Sequence, residues 1–185
     1  MRYGEEKELV YWLRDLIGLE QTLEESRIRV VQHHDFNLVD CFRIFDATGR
    51  GWATFEDFRE GLASLRVYTA HSDLDLVFQR YDRDKDGTLR YSEFCDLFMP
   101  KSAEFASILN QRGSQYIHRS YLRREEYFHP ETRISLEELF RTHLDVEIQA
   151  ERIRQQMRSF PKFDLFEAFQ TCDLNHSGAI TSYEM

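Results

Sequence analysis

The chain has 185 residues, a length that allows one or two domains, and its three prolines and eight glycines leave room for long helices. Its net charge of −9 argues against nonspecific binding to nucleic acid and suits a protein that binds cations. The three cysteines are an odd set without metal-ligand spacing, so we expect reduced thiols in an intracellular compartment, and no apolar run approaches the length of a membrane span.

Residues 1–35 are predicted to form an N-terminal helical segment. Apolar or small residues recur in it at alternate steps of four and three, which is the spacing of one helix face. Such a face is typical of antiparallel helix packing or a coiled-coil contact, and equally of a helix that lies over the motifs that follow it. The face consists of Trp12, Leu16, Leu19, Leu23, Ser26 and Val30.

Residues 36–100 are predicted to be a pair of helix–loop–helix motifs with two twelve-residue loops. A calcium loop of this length needs oxygen ligands at positions 1, 3, 5, 7, 9 and 12 and a glycine at position 6. In the first loop, 46–57, Gly51 permits the turn, but Arg50 puts a cation at position 5, and Asp57 is one methylene shorter than the glutamate expected at position 12. We therefore predict that this loop is a structural partner that does not bind calcium.

The second loop, 82–93, meets every demanding position of the calcium pattern. Gly87 permits the turn, and Leu89 at position 8 is the apolar residue that pairs two such loops back to back. Arg90 at position 9 cannot offer an oxygen, so we expect a water molecule there. An acidic turn between two helices is the alternative, but it would not require six positions to agree in register. The predicted Ca²⁺ ligands are Asp82, Asp84, Asp86, the carbonyl of Thr88, and Glu93.

Residues 101–126 are predicted to be a connecting helix. Four arginines stand out there in an otherwise acidic chain, and tyrosines interleave with them. The cluster is either a docking surface for an acidic protein partner or a solvated connector, since charge-rich helices are commonly exposed to solvent. The arginines are Arg112, Arg119, Arg123 and Arg124.

Residues 127–185 are predicted to be a second repeat that contains a vestigial loop, a long helix and a C-terminal motif cut short. The vestigial loop, 127–138, has lost most ligand positions and should bind no metal. The C-terminal loop, 173–184, offers oxygen at each ligand position but only two carboxylates, so it should bind calcium more weakly. The sequence stops at Met185, and we expect a longer chain. The predicted ligands are Asp173, Asn175, Ser177, the carbonyl of Ala179, Thr181 and Glu184.

An internal repeat supports this organisation. An offset of 127 residues places Asp173 on Asp46 and Arg154 on Arg27. The same offset aligns the apolar face of the second long helix with that of the first. A unit of long helix, weak loop and strong loop therefore starts twice in the chain. The second face consists of Leu139, His143, Val146, Ala150, Ile153 and Met157.

The loop pattern is that of EF-hand proteins, and the chain resembles the calmodulin superfamily. This resemblance implies an all-α fold of paired EF-hands with short loop–loop β-bridges and long connecting helices, and it implies Ca²⁺ as the bound ion. The phrases at 80–82 and 91–95 also resemble the tandem EF-hand array proteins of ciliary axonemes. This second resemblance implies tubulin or other axonemal proteins as partners and the cytoskeleton of a cilium as the location. The net charge and the lack of long apolar runs separately predict no nucleic-acid or membrane partner.

Three classes of function remain open at this point. They are a structural calcium-binding module in a larger assembly, a calcium sensor with a groove for partner helices, and an enzyme with a catalytic domain outside this sequence. We find no phosphate loop, nucleophile elbow or dinucleotide fingerprint, so we predict no enzyme activity. Promiscuous sensors line their grooves with methionine, whereas this chain has four methionines and fifteen phenylalanines. Stiff aromatic faces favour a fixed partner and hence the structural class.

Overall fold

The computed structural model describes residues 3–114, 123, 126–161, 163–181 and 183. The chain contains two compact units, one of Met1–Glu20 together with Gln149–Met185, and one of Gln21–Ile148. None of the described helices combines the length and the apolar character that crossing a membrane requires.

Helices dominate the described residues, which also contain two short strands. The helices are α1 (Tyr3–Gln32), α2 (Leu38–Phe45), α3 (Phe55–Ser64), α4 (His71–Tyr81), α5 (Tyr91–Phe98), α6 (Ala103–Asn110), α7 (Pro130–Ser159) and α8 (Leu165–Cys172). The strands are β1 (Trp52–Thr54) and β2 (Thr88–Arg90). We call α2 to α3 the first hand and α4 to α5 the second hand. This architecture confirms the predicted all-α class of paired helix–loop–helix motifs.

The two hands are joined by a short antiparallel bridge between their loops. Ala53 of β1 lies opposite Leu89 of β2, and both side chains are fully buried. Both residues occupy position 8 of their loops, as the sequence predicted for Leu89. The bridge therefore holds the two loops side by side in a fixed register.

The core of the larger unit is a cluster of phenylalanine rings that both hands supply. Phe45 of α2 stacks on Phe58 of α3 with ring centroids 5.1 Å apart, and Phe94 of α5 lies 5.0 Å from Phe45. All three rings are completely buried. Because the rings come from both hands, neither hand buries its apolar face alone, which explains why the first hand keeps its fold with a degenerate loop.

Helices α1 and α7 pack antiparallel within the larger unit. Residue numbers rise along α1 as those of its partners fall along α7. The contacts join Ser26 to Thr142 at 3.2 Å, Arg29 to Glu138 at 3.1 Å and His33 to Ser135 at 2.8 Å. Helix α7 also covers the hands, because the Phe140 ring lies 5.5 Å from that of Phe45. Antiparallel packing of the two long helices is therefore realised, and α7 in addition covers the hands that precede it in the chain, not motifs that follow it.

The predicted vestigial loop at 127–138 is wrong, because helix α7 already begins at Pro130. Proline suits the first turn of a helix, where its missing N–H costs nothing. Asp35 anchors this turn, since its carboxylate accepts from the His129 N–H at 2.8 Å and the Thr132 hydroxyl at 2.6 Å. Ile134, which occupies position 8 of that twelve-residue segment, is an exposed helix residue.

The predicted connecting helix at 101–126 is only partly described by the structure. Among the described residues it comprises α6, and 111–114 are not helical. Arg112 donates to the carbonyls of His33 at 2.7 Å and Phe36 at 3.1 Å, so this predicted docking cation has an internal structural role. Two other predicted docking residues, Arg119 and Arg124, lie outside the described residues.

The smaller unit contains the beginning of α1, the end of α7, and α8. Trp12 packs edge-on against Phe160 and Phe163, with ring centroids 5.5 and 6.0 Å away. Asp164 caps α8, because its carboxylate accepts from the backbone N–H of Glu167 at 2.9 Å. The helix ends at Cys172, which places the third loop directly after it.

His143 of α7 is a buried, neutral imidazole in the larger unit. Its Nε2 lies 3.0 Å from the carbonyl of Leu97, which can only accept, so Nε2 carries the proton. Its Nδ1 therefore accepts from the hydroxyl of Tyr81, 3.3 Å away. Burial, followed by the charges of Arg27 and Arg80, lowers the pKa of His143 well below its usual range.

We predict that acidification destabilises the larger unit through His143. The unfolded chain protonates this side chain near pH 6.5, whereas the folded chain keeps it neutral, so the free energy of unfolding falls as the pH drops below 6.5. At about pH 5.5 this loss should be about 1.4 kcal/mol, and His143→Gln should remove it. Chemical denaturation at neutral pH and at about pH 5.5 measures the effect on the free energy of unfolding. His34→Gln, at an exposed position, is the control. An unchanged pH dependence in His143→Gln would contradict the assignment.

Candidate calcium sites

The first aspartate organises each of the three twelve-residue loops. Its carboxylate accepts from the backbone N–H groups four and five residues later, and the second of these belongs to a glycine with positive φ. Asp46 accepts from the N–H groups of Arg50 at 2.9 Å and Gly51 at 2.6 Å. Asp82 accepts from the N–H groups of Asp86 at 3.2 Å and Gly87 at 3.0 Å. Asp173 accepts from the N–H groups of Ser177 at 2.9 Å and Gly178 at 2.8 Å. All three loops therefore make the same turn, and only their other side chains distinguish them.

The second loop brings three predicted ligands together. One carboxylate oxygen from each of Asp82, Asp84 and Asp86 lies within 4.8 Å of the others. Two oxygens on opposite sides of one Ca²⁺ would be about 4.8 Å apart, so the spacing fits a single ion. Asp82 is buried at the end of α4, while the other two side chains are exposed. The cluster therefore has one fixed carboxylate and two that face solvent.

The remaining predicted ligands of this loop lie at the start of β2 and in the first turn of α5. Thr88 donates its N–H and hydroxyl to Asp86, at 2.8 and 2.7 Å, which fixes that carboxylate. Glu93 is buried outside the three-residue cluster. Its oxygens accept from the N–H groups of Arg83 at 2.9 Å and Arg90 at 3.0 Å. The carboxylate of position 12 is thus held by backbone N–H groups at positions 2 and 9 of the loop.

Arg90 lacks the oxygen expected at position 9, as the sequence predicted, and its guanidinium also pairs with two predicted ligands. Its guanidinium donates to Asp86 at 2.8 Å and lies 3.8 Å from Asp84, so a cation faces two predicted calcium ligands. The pKa of Asp86 is lowered, mainly by the hydrogen bonds from Thr88 and further by the Arg90 charge. The signal in the sequence was the spacing of four residues between Asp86 and Arg90.

The first loop has an internal ion pair where a calcium loop has ligands. Arg50 at position 5 forms a salt bridge with Asp57 at position 12. The same Asp57 carboxylate accepts from the Thr54 N–H at 2.9 Å and hydroxyl at 2.6 Å, which caps helix α3. Burial favours the neutral acid, but these hydrogen bonds and the Arg50 charge outweigh it and lower the pKa of Asp57. The prediction that this loop does not bind calcium thereby gains a structural reason.

The third loop has the turn of a calcium loop with weaker ligands. Asn175 accepts from the Ser177 N–H at 2.8 Å, and the Ser177 hydroxyl donates to the Ala179 carbonyl at 3.0 Å, so two predicted ligands bond to each other. Thr181 is exposed, and Glu184 lies outside the described residues. An ion here would have to displace the Ser177 hydrogen bond, in agreement with the weaker affinity expected from two carboxylates.

Residues 35–99 match a family model described as an EF-hand domain pair. The matched segment coincides within one residue at each end with the pair predicted at 36–100. This segment is therefore an EF-hand pair of the calmodulin superfamily, and Ca²⁺ is the ion that it binds.

Three relatives each match 32–39% of the chain, and the chain spans at most 40% of their length. Troponin C, isotype gamma, of Astacus leptodactylus is 37% identical over 60 residues, which are 32% of this chain and 40% of that protein. Calcium-binding protein 7 of Homo sapiens is 31% identical over 62 residues, 34% of this chain and 29% of the relative. Calcium-dependent protein kinase 7 of Arabidopsis thaliana is 31% identical over 77 residues, 39% of this chain and 14% of the kinase. No solved structure matches the chain.

We predict that Glu93→Gln abolishes the tightest calcium site. The substitution keeps the size of the side chain but removes the charge and weakens the bidentate ligand at position 12. Titration calorimetry of the wild type and the variant measures the effect. Asp96→Asn, which makes the same change on the exposed side of α5, should leave the site intact. Retention of the tight site in Glu93→Gln would contradict the ligand assignment.

We predict that Arg90→Ser strengthens calcium binding about fivefold. Removing the cation relieves a repulsion worth about 1 kcal/mol at an exposed position, and serine also offers an oxygen at position 9. The matched control is Arg83→Ser, because the Arg83 side chain lies in the same loop but pairs with Asp96 at 2.6 Å. Equal gains in both variants would show a general charge effect and not the contact of Arg90 with the ligands.

Proposed function

We propose that this protein is a non-enzymatic, calcium-binding EF-hand module that serves as a structural or docking part of a larger assembly. The observation that carries this proposal is that helix α7 of the same chain fills the apolar groove between the two hands. A groove that is already filled is not available to capture a partner helix. The binding surfaces for partners are then the outer faces of the module.

Phe140 is the residue that fills the groove. Its ring lies 5.5 Å from Phe45, 6.0 Å from Phe58 and 5.6 Å from Phe98, so it contacts helices of both hands. Only 1% of Phe140 is exposed. Removing a side chain buried to this degree typically costs about 3–5 kcal/mol, which makes this ring a main anchor of α7.

Polar contacts fix the position of α7 on both sides of this anchor. Arg133 and Arg141 donate to the carbonyls of Ser64 at 3.2 Å and Arg66 at 3.0 Å, at the C-terminal end of α3. Positive charge is favourable there because it complements the helix dipole. Further along α7, the buried Glu147 forms a salt bridge with Arg80 of α4. The helix is therefore fixed in register as well as by apolar contact.

The assembly and its location follow from the weaker of the two sequence resemblances. The phrases at 80–82 and 91–95 resemble EF-hand array proteins of axonemes, so we propose tubulin or another axonemal protein as the partner and the cilium as the location. The absence of catalytic motifs in the sequence supports a role without enzyme activity. The names of the relatives include both a troponin C and a kinase, and the kinase match covers 14% of that protein.

A calcium sensor is the second candidate, because α7 itself could be the segment that calcium releases. Release would require calcium to favour the open groove over the filled one, since a ligand shifts an equilibrium only by its differential affinity for the two states. The open state would expose the phenylalanine cluster that Phe140 now covers. The two candidates therefore differ in whether calcium uncovers apolar surface.

We predict that calcium leaves the groove filled. Binding of a hydrophobic dye to the wild type should be low both with calcium and with chelator, and pelleting with microtubules should be similar in both conditions. Phe140→Ala should bind the dye because it opens the groove, and Ile134→Ala, at an exposed position of the same helix, should not. Strong dye binding and pelleting in calcium alone would overturn the structural proposal in favour of the sensor. Absence of pelleting in both conditions would reject microtubules as the partner.

A further inference from the structure

A closed ring of buried hydrogen bonds joins four helices beside the second calcium loop. Arg27 of α1 donates through Nε to the carbonyl of Leu97 and through Nη2 to the hydroxyl of Tyr81, both at 2.9 Å. Tyr81 in turn lies 3.3 Å from His143 of α7, whose Nε2 returns to Leu97 at 3.0 Å. Each of these four residues is buried. The carbonyl of Leu97 thus accepts from both an arginine and a histidine.

The ring joins the two ends of the second hand. Tyr81 is the last residue of α4 and immediately precedes the first predicted ligand, Asp82. Leu97 lies in the last turn of α5, four residues after the final predicted ligand, Glu93. Its carbonyl is one of the last four carbonyls of α5, and these accept no N–H from within the helix. Arg27 therefore bridges the helix that enters the calcium loop and the helix that leaves it.

Burial of the charged Arg27 side chain would be unfavourable if the residue only filled space in the core. The side chain is 4% exposed, and burying a guanidinium is costly unless its donors are satisfied. Here the charge faces Glu24 at 3.8 Å, and Glu24 accepts from the N–H groups of Lys101 at 2.8 Å and Ser102 at 3.2 Å. The pair thus also holds the segment that follows α5. An apolar residue could pack at this position but could not connect these backbone groups.

The internal repeat carries the same pair of charges. The offset of 127 residues places Glu151 on Glu24 and Arg154 on Arg27. In the smaller unit these two residues also form an ion pair three residues apart on a helix, at 3.3 Å. The arginine therefore belongs to the repeated unit that contains the calcium loops, and not to the first helix alone.

We propose that Arg27 is a positioning residue for calcium binding, which acts by holding Tyr81 and Leu97, and with them the two ends of the second loop, at a fixed separation. This inference rests on the proposed calcium site at 82–93. A loop whose ends are already held loses less conformational freedom when it closes on an ion, so the ring raises calcium affinity. By linkage, bound calcium stabilises the ring and the seat of α7 to the same extent.

Calcium titration calorimetry of folded variants tests this proposal. Arg27→Met keeps the length and apolar stem of the side chain and should weaken the tightest site about tenfold, a typical coupling between sites. Arg27→Lys keeps one donor and should recover part of the loss. The matched control is Arg29→Met, which removes an exposed arginine of the same helix that also contacts α7, and should leave affinity unchanged.

Tyr81→Phe is a second test of the proposal, because it removes one hydroxyl from the hydrogen-bonded ring and keeps the aromatic side chain. It should weaken binding less than Arg27→Met does, and the double variant should bind calcium no more weakly than Arg27→Met alone, because both changes break the same ring. These variants keep the proposal testable if Arg27→Met does not fold.

The outcomes separate this proposal from the calcium site on which it rests. Wild-type calcium affinity in folded Arg27→Met would overturn the positioning role while leaving the site in place, even if the unfolding temperature fell. If Arg27→Met does not fold, wild-type affinity in both single variants, Arg27→Lys and Tyr81→Phe, would have the same consequence. A wild-type protein that binds no calcium would reject the site itself, and this inference with it. Weakened binding in Arg29→Met equal to that in Arg27→Met would show a general loss of charge and would also overturn the proposal.

Discussion

The packing of helix α7 on the paired hands is the constraint on which the larger unit depends. A single ring, Phe140, touches rings from α2, α3 and α5, so one residue closes the core that both hands share. Without it the groove between the hands would expose a contiguous aromatic surface, which soluble proteins rarely leave uncovered. The same helix packs antiparallel on α1, so the two long helices and the two hands form one cooperative core within this unit.

The two hands divide the work of calcium binding and folding. The first loop stabilises itself through the Arg50–Asp57 ion pair and the cap on α3, so it needs no metal ion to keep its turn. The second loop gathers three carboxylates, whose mutual repulsion is relieved in part by Arg90. Through the bridge between Ala53 and Leu89, the first hand supports the second. A loop that has lost its ligands is therefore retained because its apolar face and its strand are still required.

The buried polar contacts connect the calcium loop with the groove. Tyr81 and Leu97 border the loop, whereas Arg27 and His143 belong to the long helices that cover the hands. Because buried polar groups are costly unless every partner is in place, this network favours one register of the four helices over its neighbours. It also provides a physical path by which calcium binding and the seat of α7 can influence each other.

The sequence by itself determined the calcium loops, because their ligands, glycine turn and pairing residue all lie within twelve consecutive positions. It also determined the all-α class and the pairing of hands, since helical periodicity and loop spacing are local properties. Only the tertiary structure decided that α7 begins at Pro130 in place of a vestigial loop, since that turn is anchored by Asp35, far away in the chain. The groove occupant and the ring around Arg27 were likewise invisible in the sequence, because their contacts join residues separated by 42 to 95 positions, and no local pattern specifies which distant side chains will meet.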